Sequence, residues 1–163
     1  MTAPGAPGAR EDDAARTWAM VVHLSALGNF FFPFSGLIVA IVIYSARRSD
    51  PTFVRENARD AVNAQITLWI FNTIVVAAAV VCFASLFVAL AASDHHDGRA
   101  TPYFPWQAGA YFACFVILML GNVLVAIMAC FGARAAYLGR IFRYPFAIAF
   151  VRPDNGEGQP ASA

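Results

Sequence analysis

The chain has 163 residues, 60% of them hydrophobic and 13% charged, with a formal net charge of +1. At a mean hydropathy of +0.60, this is the composition of a membrane protein rather than of a soluble domain. All eleven basic residues are arginines and ten acidic residues balance them. This balance excludes a strongly basic nucleic-acid binder, and we expect no nucleic-acid partner.

The first segment, 1–15, is rich in Ala, Pro and Gly and carries mixed charge, which predicts a disordered tail. Its acidic cluster, Glu11 to Asp13, is not compatible with the basic start of a secretory signal peptide. A single membrane domain is predicted over 16–152, followed by a second disordered tail over 153–163.

Three uncharged runs dominate the membrane domain: 18–44, interrupted only by His23, then 66–92 and 106–131. Each run is longer than the roughly 20 residues that a helix needs to cross the hydrocarbon core. The sequence therefore predicts an all-α fold, a small polytopic bundle of transmembrane helices with three long hydrophobic segments.

The first run is interrupted near Pro33, within "LGNFFFPFSG". Proline removes one helical hydrogen bond and clashes with the preceding turn. We favour one kinked span, because 27 residues cover about 40 Å as a helix and each arm of a hairpin would cover only about 20 Å. The alternative is four helices with an N-terminal hairpin.

Arginine placement predicts the orientation of a multi-pass protein in the cell inner (plasma) membrane. The connection 45–65 holds four arginines and the C-terminal flank 134–152 holds another four, whereas the loop 93–105 holds only Arg99. The connection and the C-terminus are therefore expected on the cytoplasmic side and the loop on the outer side. The N-terminus would be outside for a single first span and inside for a hairpin.

The segment 51–65, called the amphipathic block below, is predicted to be the start of a long helix, with Asp50 as its N-cap and Pro51 at its first position. Its polar side, which carries the charged residues and Asn63, is expected to face the cytoplasmic interface, to attract anionic lipids and to pair Glu56 with Arg59. The amides of Asn57 and Gln65 fall on the mostly apolar side and should hydrogen-bond to a neighbouring element. The candidate interaction residues are Arg55, Asn57, Arg59, Asn63 and Gln65.

Four of the polar residues inside the uncharged runs are candidate intramembrane polar positions: His23, Asn29, Asn72 and Asn122. His23 is close to the start of its run, so a hydrogen-bonded structural histidine is favoured over a proton relay. The two later asparagines are candidates for a bond between helices, and Gly36 with Ala40 and Gly132 with Ala136 are spaced for close helix approach.

Chemistry-bearing motifs are weak throughout the sequence. His95 and His96 are adjacent and lack an evident third ligand, which favours a solvated loop over a metal site. The three cysteines, at positions 82, 114 and 130, lie in apolar runs without metal-site spacing. We expect no catalytic residue, no cofactor and no metal, because a nucleophile with a base, a phosphate loop and paired intramembrane carboxylates are all missing.

Several stretches together resemble a known family: "WAMVVHLSAL", "FPFSGLI", "DPTFVRENARDAVNAQITLWI" and "GRIFRYPFAIAF". They are similar to small bacterial membrane proteins distantly related to the twenty-kilodalton Tic subunit of the chloroplast inner-envelope translocon. The resemblance covers about 16–151, and it implies four helices, membrane integration and a part in handling other membrane or translocated proteins.

Three functions are consistent with these features. A non-enzymatic scaffold or factor in membrane-protein assembly or translocation is favoured, with the lipid bilayer and membrane-protein partners or a homo-oligomer as its contacts. A small transporter or channel subunit is the alternative and would need a water-accessible polar pathway. An intramembrane enzyme is disfavoured for want of a nucleophile with a base.

Overall fold

A computed structural model describes residues 7–47, 52–93 and 104–152, and over these ranges the protein is all-helical, as predicted. The α-helices are α1 Pro7–Leu24, α2 Ser35–Ala46, α3 Thr52–Ser93 and α4 Phe104–Tyr137, and a 3₁₀ helix, Ser25–Phe30, joins α1 to the turn before α2. Helix α1 starts early, so nine residues of the segment predicted as a disordered tail, 7–15, are helical.

The prediction of one kinked span over 18–44 is wrong. Helix α1 ends at Leu24 and α2 has only 12 residues, or about 18 Å, too short to cross a ~30 Å core. Instead α1, the 3₁₀ helix and α2 pack against one another. This arrangement matches the alternative of four helices with an N-terminal hairpin.

The turn before α2 explains where the first run breaks. The backbone N–H groups of Phe31 and Phe32 both donate to Gly28 O, at 2.9 and 3.0 Å. Pro33 has no N–H to continue a helix, and Phe34 adopts a left-handed conformation with φ 67°, which reverses the chain. Ser35 then closes the turn through its hydroxyl, which donates to Phe32 O at 2.8 Å.

Two helices in the described part of the chain are long and apolar enough to cross a membrane, Thr52–Ala91 within α3 and Trp106–Tyr137 within α4. Helices α3 and α4 contain the predicted runs 66–92 and 106–131. None of the 18 residues in the most apolar stretch of α3 is buried, whereas Leu68 is, so that stretch begins after Leu68. The first part of α3 therefore precedes the stretch that is a candidate to span the membrane. Asp50 and Pro51, the predicted cap, lie outside the described residues.

The described residues divide into two units. The polar unit consists of the residues up to Thr67 and those from Ala126 onward, and the helix-pair unit is Leu68–Val125. The core of the polar unit is formed by small and β-branched side chains from α1, α2 and α3: Val22, Ala40, Ile43, Ala58, Ala61 and Val62. Alanines at these positions allow the helix backbones to approach closely.

A C-terminal segment, 138–152, follows α4 in the polar unit. Gly139 has φ +73°, and Gly139 N donates to Ala136 O while Arg140 N donates to Ala135 O, both at 2.9 Å. This is the Schellman pattern, which ends a helix and redirects the chain. The segment predicted only as a basic flank thus packs back onto α3.

Candidate functional site

A buried histidine links three elements of the polar unit. His23, at the end of α1, is fully buried. Its Nδ1 is 2.9 Å from Tyr144 Oη in the C-terminal segment, and its Nε2 is 3.0 Å from Asn57 Oδ1 on α3. The rings of Phe142 and Tyr144 pack against the imidazole with centroids 6.0 and 5.7 Å away. The structure therefore gives both ring nitrogens a partner, as expected for a structural histidine.

The partners of Asn57 define the hydrogen-bond directions. Asn57 Oδ1 also accepts from the backbone N–H of Phe142 at 3.2 Å, so it is the acceptor for His23 Nε2–H as well. Nδ1 of a neutral imidazole must then accept the proton of the Tyr144 hydroxyl. Burial lowers the pKa of His23, and the Asn57 hydrogen bond opposes that shift. Burial also raises the pKa of Tyr144, which keeps the phenol protonated.

A second set of polar groups joins the N-terminal hairpin to α3. Gln65 Nε2 donates to Ser25 Oγ at 3.1 Å, and Asn29 Nδ2 donates to Gln65 Oε1 at 3.2 Å. Asn29 Oδ1 accepts from the N–H of Gly36 at 3.1 Å, which satisfies one of the free donors at the start of α2. The two amides of the amphipathic block, Asn57 and Gln65, thus bond neighbouring elements as predicted.

Asn63 fastens the C-terminal segment to α3. Its Oδ1 accepts from Val151 N at 2.8 Å and its Nδ2 donates to Val151 O at 3.1 Å. One turn further along, Thr67 Oγ1 accepts from Ile148 N at 3.0 Å. Asn63 is buried, so its placement on the solvated charged side is corrected: the C-terminal segment covers it.

The charged residues of the block behave differently from the amides. Arg55, Arg59 and Asp60 are partly exposed. The ion pair of Arg59 joins its Nε to Asp60 Oδ1 at 3.5 Å, so the predicted pair with Glu56 gives way to a neighbouring carboxylate. Burial raises the pKa of Asp60, and the positive charge of Arg59 opposes that shift.

In the helix-pair unit, Asn72 on α3 and Asn122 on α4 face each other. Asn122 Nδ2 is 3.2 Å from Asn72 Oδ1, and Asn72 Nδ2 is 3.5 Å from Asn122 Oδ1. Asn122 also donates to Leu118 O at 2.8 Å. This is the bond between helices that the sequence predicts, and the amides satisfy each other where water is scarce.

Several members of the polar network were not identified from sequence: Ser25, Thr67, Tyr144 and the backbone of Phe142 and Val151. Gly139 after the apolar run of α4 was the available signal, since a glycine there ends a helix and turns the chain. No sequence pattern pairs the returning segment with α3. His95 and His96 lie outside the described residues.

The comparisons with known proteins give one match. The chain matches no curated protein and no solved structure. The model of the magnetosome magnetite crystal formation protein family matches residues 14–151, well over half of the chain. This match overturns the resemblance to the Tic-like family, whose quoted stretches from "WAMVVHLSAL" to "GRIFRYPFAIAF" fall inside the matched range. The protein is an all-helical membrane protein, and it belongs to the magnetosome magnetite crystal formation protein family.

Proposed function

We propose that this protein is a non-enzymatic membrane scaffold that holds partner proteins at the bilayer. The observation that supports the proposal is that the buried and partly buried polar side chains of the polar unit hydrogen-bond to other protein groups. His23, Asn29, Asn57, Asn63 and Gln65 all bond to other protein groups of the polar unit. Buried polar side chains with protein hydrogen-bond partners stabilise one folded arrangement of the chain.

A transporter or channel subunit remains the alternative, and it requires polar groups that face a water-filled path. The polar candidates for such a path, His23, Asn29, Asn72 and Asn122, hydrogen-bond to protein partners instead. Ser25 belongs to the polar network, and its hydroxyl directs its proton toward the carbonyls of Val22 and Gly36, at 2.7 and 3.1 Å. This geometry favours a structural role over nucleophilic chemistry.

The helix-pair unit supplies a surface for partner helices. Its outward side chains are large and apolar, including Ile74, Val81, Phe87, Phe112 and Leu120, each more than 60% exposed. In a bilayer such a face is solvated by lipid or by another helix. We propose membrane-protein partners or a second copy of the chain for this face, and anionic lipids for the arginines of 45–65.

The family description names magnetosome magnetite crystal formation, and we propose that the scaffold acts in a process of that kind, on a membrane where a mineral or a protein assembly is built. In a host that forms magnetosomes, deletion of the gene should change the size or number of crystals seen by electron microscopy. Unchanged crystals would separate this chain from the process that its family description names.

The scaffold proposal is tested by affinity purification of the full chain from native membranes under mild detergent. The expected result is a reproducible set of membrane proteins that the Asn57→Ala variant no longer retains. In parallel, purified protein in liposomes should show no flux of protons or small ions above empty liposomes. Specific flux, together with no retained partner, would favour the transporter alternative and overturn the scaffold.

A further inference from the structure

A cavity of about 260 Å³ opens in the polar unit between α3 and the C-terminal segment. Its polar lining comes from Arg59, Asp60, Asn63, Arg143 and Tyr144, and the rest of its wall is alanine and valine. Asn63 and Tyr144 already bond to Val151 and His23. The groups left to meet a ligand are therefore two guanidinium groups and one carboxylate.

The carboxylate is incompletely satisfied. Asp60 Oδ1 lies 3.5 Å from Arg59 Nε, but Asp60 Oδ2 is buried and has no hydrogen-bond partner in the described residues. A buried carboxylate oxygen without a donor is costly. A ligand that brought a positively charged N–H donor to Oδ2 would remove that cost.

The two arginines define an anion position in the same cavity. Arg59 and Arg143 line the same cavity as Asp60, and the positive charges of both act on that carboxylate. Two positive charges and one negative charge leave an excess of one positive charge. Arginine recognises phosphate oxygens in this setting by paired N–H donors. The cavity thus offers a place for an anion beside a place for a cation.

The cavity lies on the part of α3 that leads into its most apolar stretch, which begins after Leu68. Asn63 and Asp60 precede Leu68 by five and eight residues, which is about 7.5 and 12 Å along the helix axis. The headgroup layer is about 5 to 8 Å thick on each side of the hydrocarbon core. Asn63 therefore lies near the outer edge of that layer and Asp60 beyond it, so the membrane component that meets the cavity is a lipid headgroup that extends outward from the bilayer.

We propose that this cavity binds the phosphoethanolamine headgroup of a membrane lipid, with the phosphate between Arg59 and Arg143 and the ammonium donating to Asp60 Oδ2. The negative phosphate of this headgroup would face the two arginines, and its positive ammonium would face the carboxylate of Asp60. A choline headgroup carries a quaternary ammonium without an N–H, and a glycerol headgroup carries no cation, so each leaves Asp60 Oδ2 without a charged donor. The site is thus selective for a primary ammonium beside a phosphate.

The test is native mass spectrometry of the full chain in detergent at pH 8, titrated with dioctanoyl phosphatidylethanolamine, phosphatidylcholine or phosphatidylglycerol. We expect the ethanolamine lipid to bind about tenfold more tightly than either of the others, a difference of about 1.4 kcal/mol. Soluble O-phosphoethanolamine serves as the water-borne source of the same headgroup and should bind at least tenfold more weakly than the lipid.

Two variants probe the two halves of the site. Asp60→Asn keeps the shape of the side chain and should lower the affinity for the ethanolamine lipid to that for the choline lipid. Arg143→Gln alters an exposed side chain. It should weaken the binding of all three phospholipids about threefold or more and keep the preference for the ethanolamine lipid. Arg140→Gln, an exposed position on the same segment that does not line this cavity, is the matched control and should bind as wild type.

Three outcomes would overturn the proposal. Equal binding of ethanolamine and choline lipids by the wild-type protein would remove the selectivity. An unchanged preference in Asp60→Asn, in a variant whose melting temperature equals that of wild type, would remove Asp60 from the site. Soluble O-phosphoethanolamine that bound as tightly as the lipid would show that the ligand is not a membrane component.

Discussion

Asn57 shows how one side chain can join three parts of a fold. Its Oδ1 accepts from His23 and from the backbone of Phe142, and its Nδ2 donates to Phe53 O at 3.0 Å. The side chain is completely buried, so water cannot replace these partners. By contrast, the arginines of the same block are partly exposed, and their electrostatic interactions are shared with solvent and screened by salt.

This difference predicts the ranking of alanine variants. Asn57→Ala leaves His23 Nε2 and Phe142 N without their acceptor. Gln65→Ala leaves Asn29 Nδ2 without its acceptor and takes from Ser25 Oγ the hydrogen bond that Gln65 Nε2 donates. Each orphaned buried group costs about 1 to 3 kcal/mol. Both variants should therefore lower the melting temperature in detergent clearly more than Arg55→Ala does. The ranking is refuted if both amide variants melt with the wild type while Arg55→Ala collapses.

The buried imidazole predicts a pH dependence of stability. The pKa of His23 in the folded protein is lowered from 6.5, so the unfolded chain takes up the proton first. Stability is fully present above pH 6.5 and falls as the pH drops below that value, by up to about 1.4 kcal/mol per pH unit. Melting temperatures between pH 7.5 and 5 should decline more steeply for wild type than for His23→Gln. Parallel curves for the two proteins would assign the acid sensitivity to other groups.

At the scale of elements, each helix joins the fold by a different kind of contact. Helix α2 approaches the 3₁₀ helix at Gly36, where an added Cβ would lie 2.5 Å from Ser25 O and 2.6 Å from Gln65 Oε1. Helices α3 and α4 of the helix-pair unit meet instead through amides, at Asn72 and Asn122. Close backbone approach and buried amide pairs are the two common ways in which membrane helices associate.

The close approach at Gly36 predicts a strong effect of one methyl group. Gly36→Ala places that group against a backbone oxygen that cannot rotate away, so we expect a loss of about 1 to 3 kcal/mol. Gly109→Ala is the matched control, because nothing lies within 4 Å of its added Cβ and alanine favours a helix by about 1 kcal/mol over glycine. Thermal melting of both variants should separate them, and equal melting temperatures would contradict the close packing at Gly36.

The amide pair predicts non-additive substitutions. Asn72→Leu or Asn122→Leu alone takes from the other amide its partner on the facing helix, at a cost of about 1 kcal/mol, although Asn122 keeps its bond to Leu118 O. The double variant removes both polar groups and should recover most of that stability. A double-mutant cycle by melting in detergent measures the coupling. Simple addition of the two losses would show that the asparagines act independently.

The sequence predicted the helices better than their partners. Runs of apolar residues located the parts of α3 and α4 that are long and apolar enough to cross a membrane, because lipid imposes length and apolarity on any span. The polarity of Asn57 and Gln65 on an apolar side indicated buried hydrogen bonds. The return of Val151 to Asn63 could not be predicted, because the two residues are 88 positions apart and an amide that binds backbone imposes no pattern on its partner's side chain.

The break in the first run was also hard to place from sequence. Pro33 indicated an interruption, but length alone favoured a single kinked span. The structure ends α1 at Leu24, well before the proline, and His23 and Ser25 on either side of that end make side-chain hydrogen bonds within the polar unit. The polar residues, and not the proline, carried the information that this run belongs to the polar unit.

At the scale of the whole molecule, the distribution of charge predicts the orientation of the chain in the membrane. Arginines cluster in 45–65 and 134–152 and are nearly missing from the loop 93–105. The positive-inside rule therefore predicts that the first two face the cytoplasm and the loop faces the opposite side. With α3 and α4 as the two spans, this assignment requires each helix to cross once.

Cysteine labelling in intact cells tests that orientation. A cysteine introduced near Gly98 should react with a membrane-impermeant thiol reagent, and one near Ser49 should react only after the cells are opened. The test needs a background without Cys82, Cys114 and Cys130, each replaced by alanine. Equal labelling at both positions in intact cells would rule out the predicted orientation.

The return of the C-terminal segment to α3 has a consequence for biosynthesis. Asn63 leaves the ribosome 88 residues before Val151, and His23 leaves it 121 residues before Tyr144. At 5 to 20 residues per second, Asn63 waits roughly 4 to 18 s for its backbone partners. During that time α3 and α4 can enter the membrane while the polar groups of the first half are still hydrated. Final closure of the polar unit is therefore a late step of maturation, and a nascent chain released early would expose these groups to quality-control proteases.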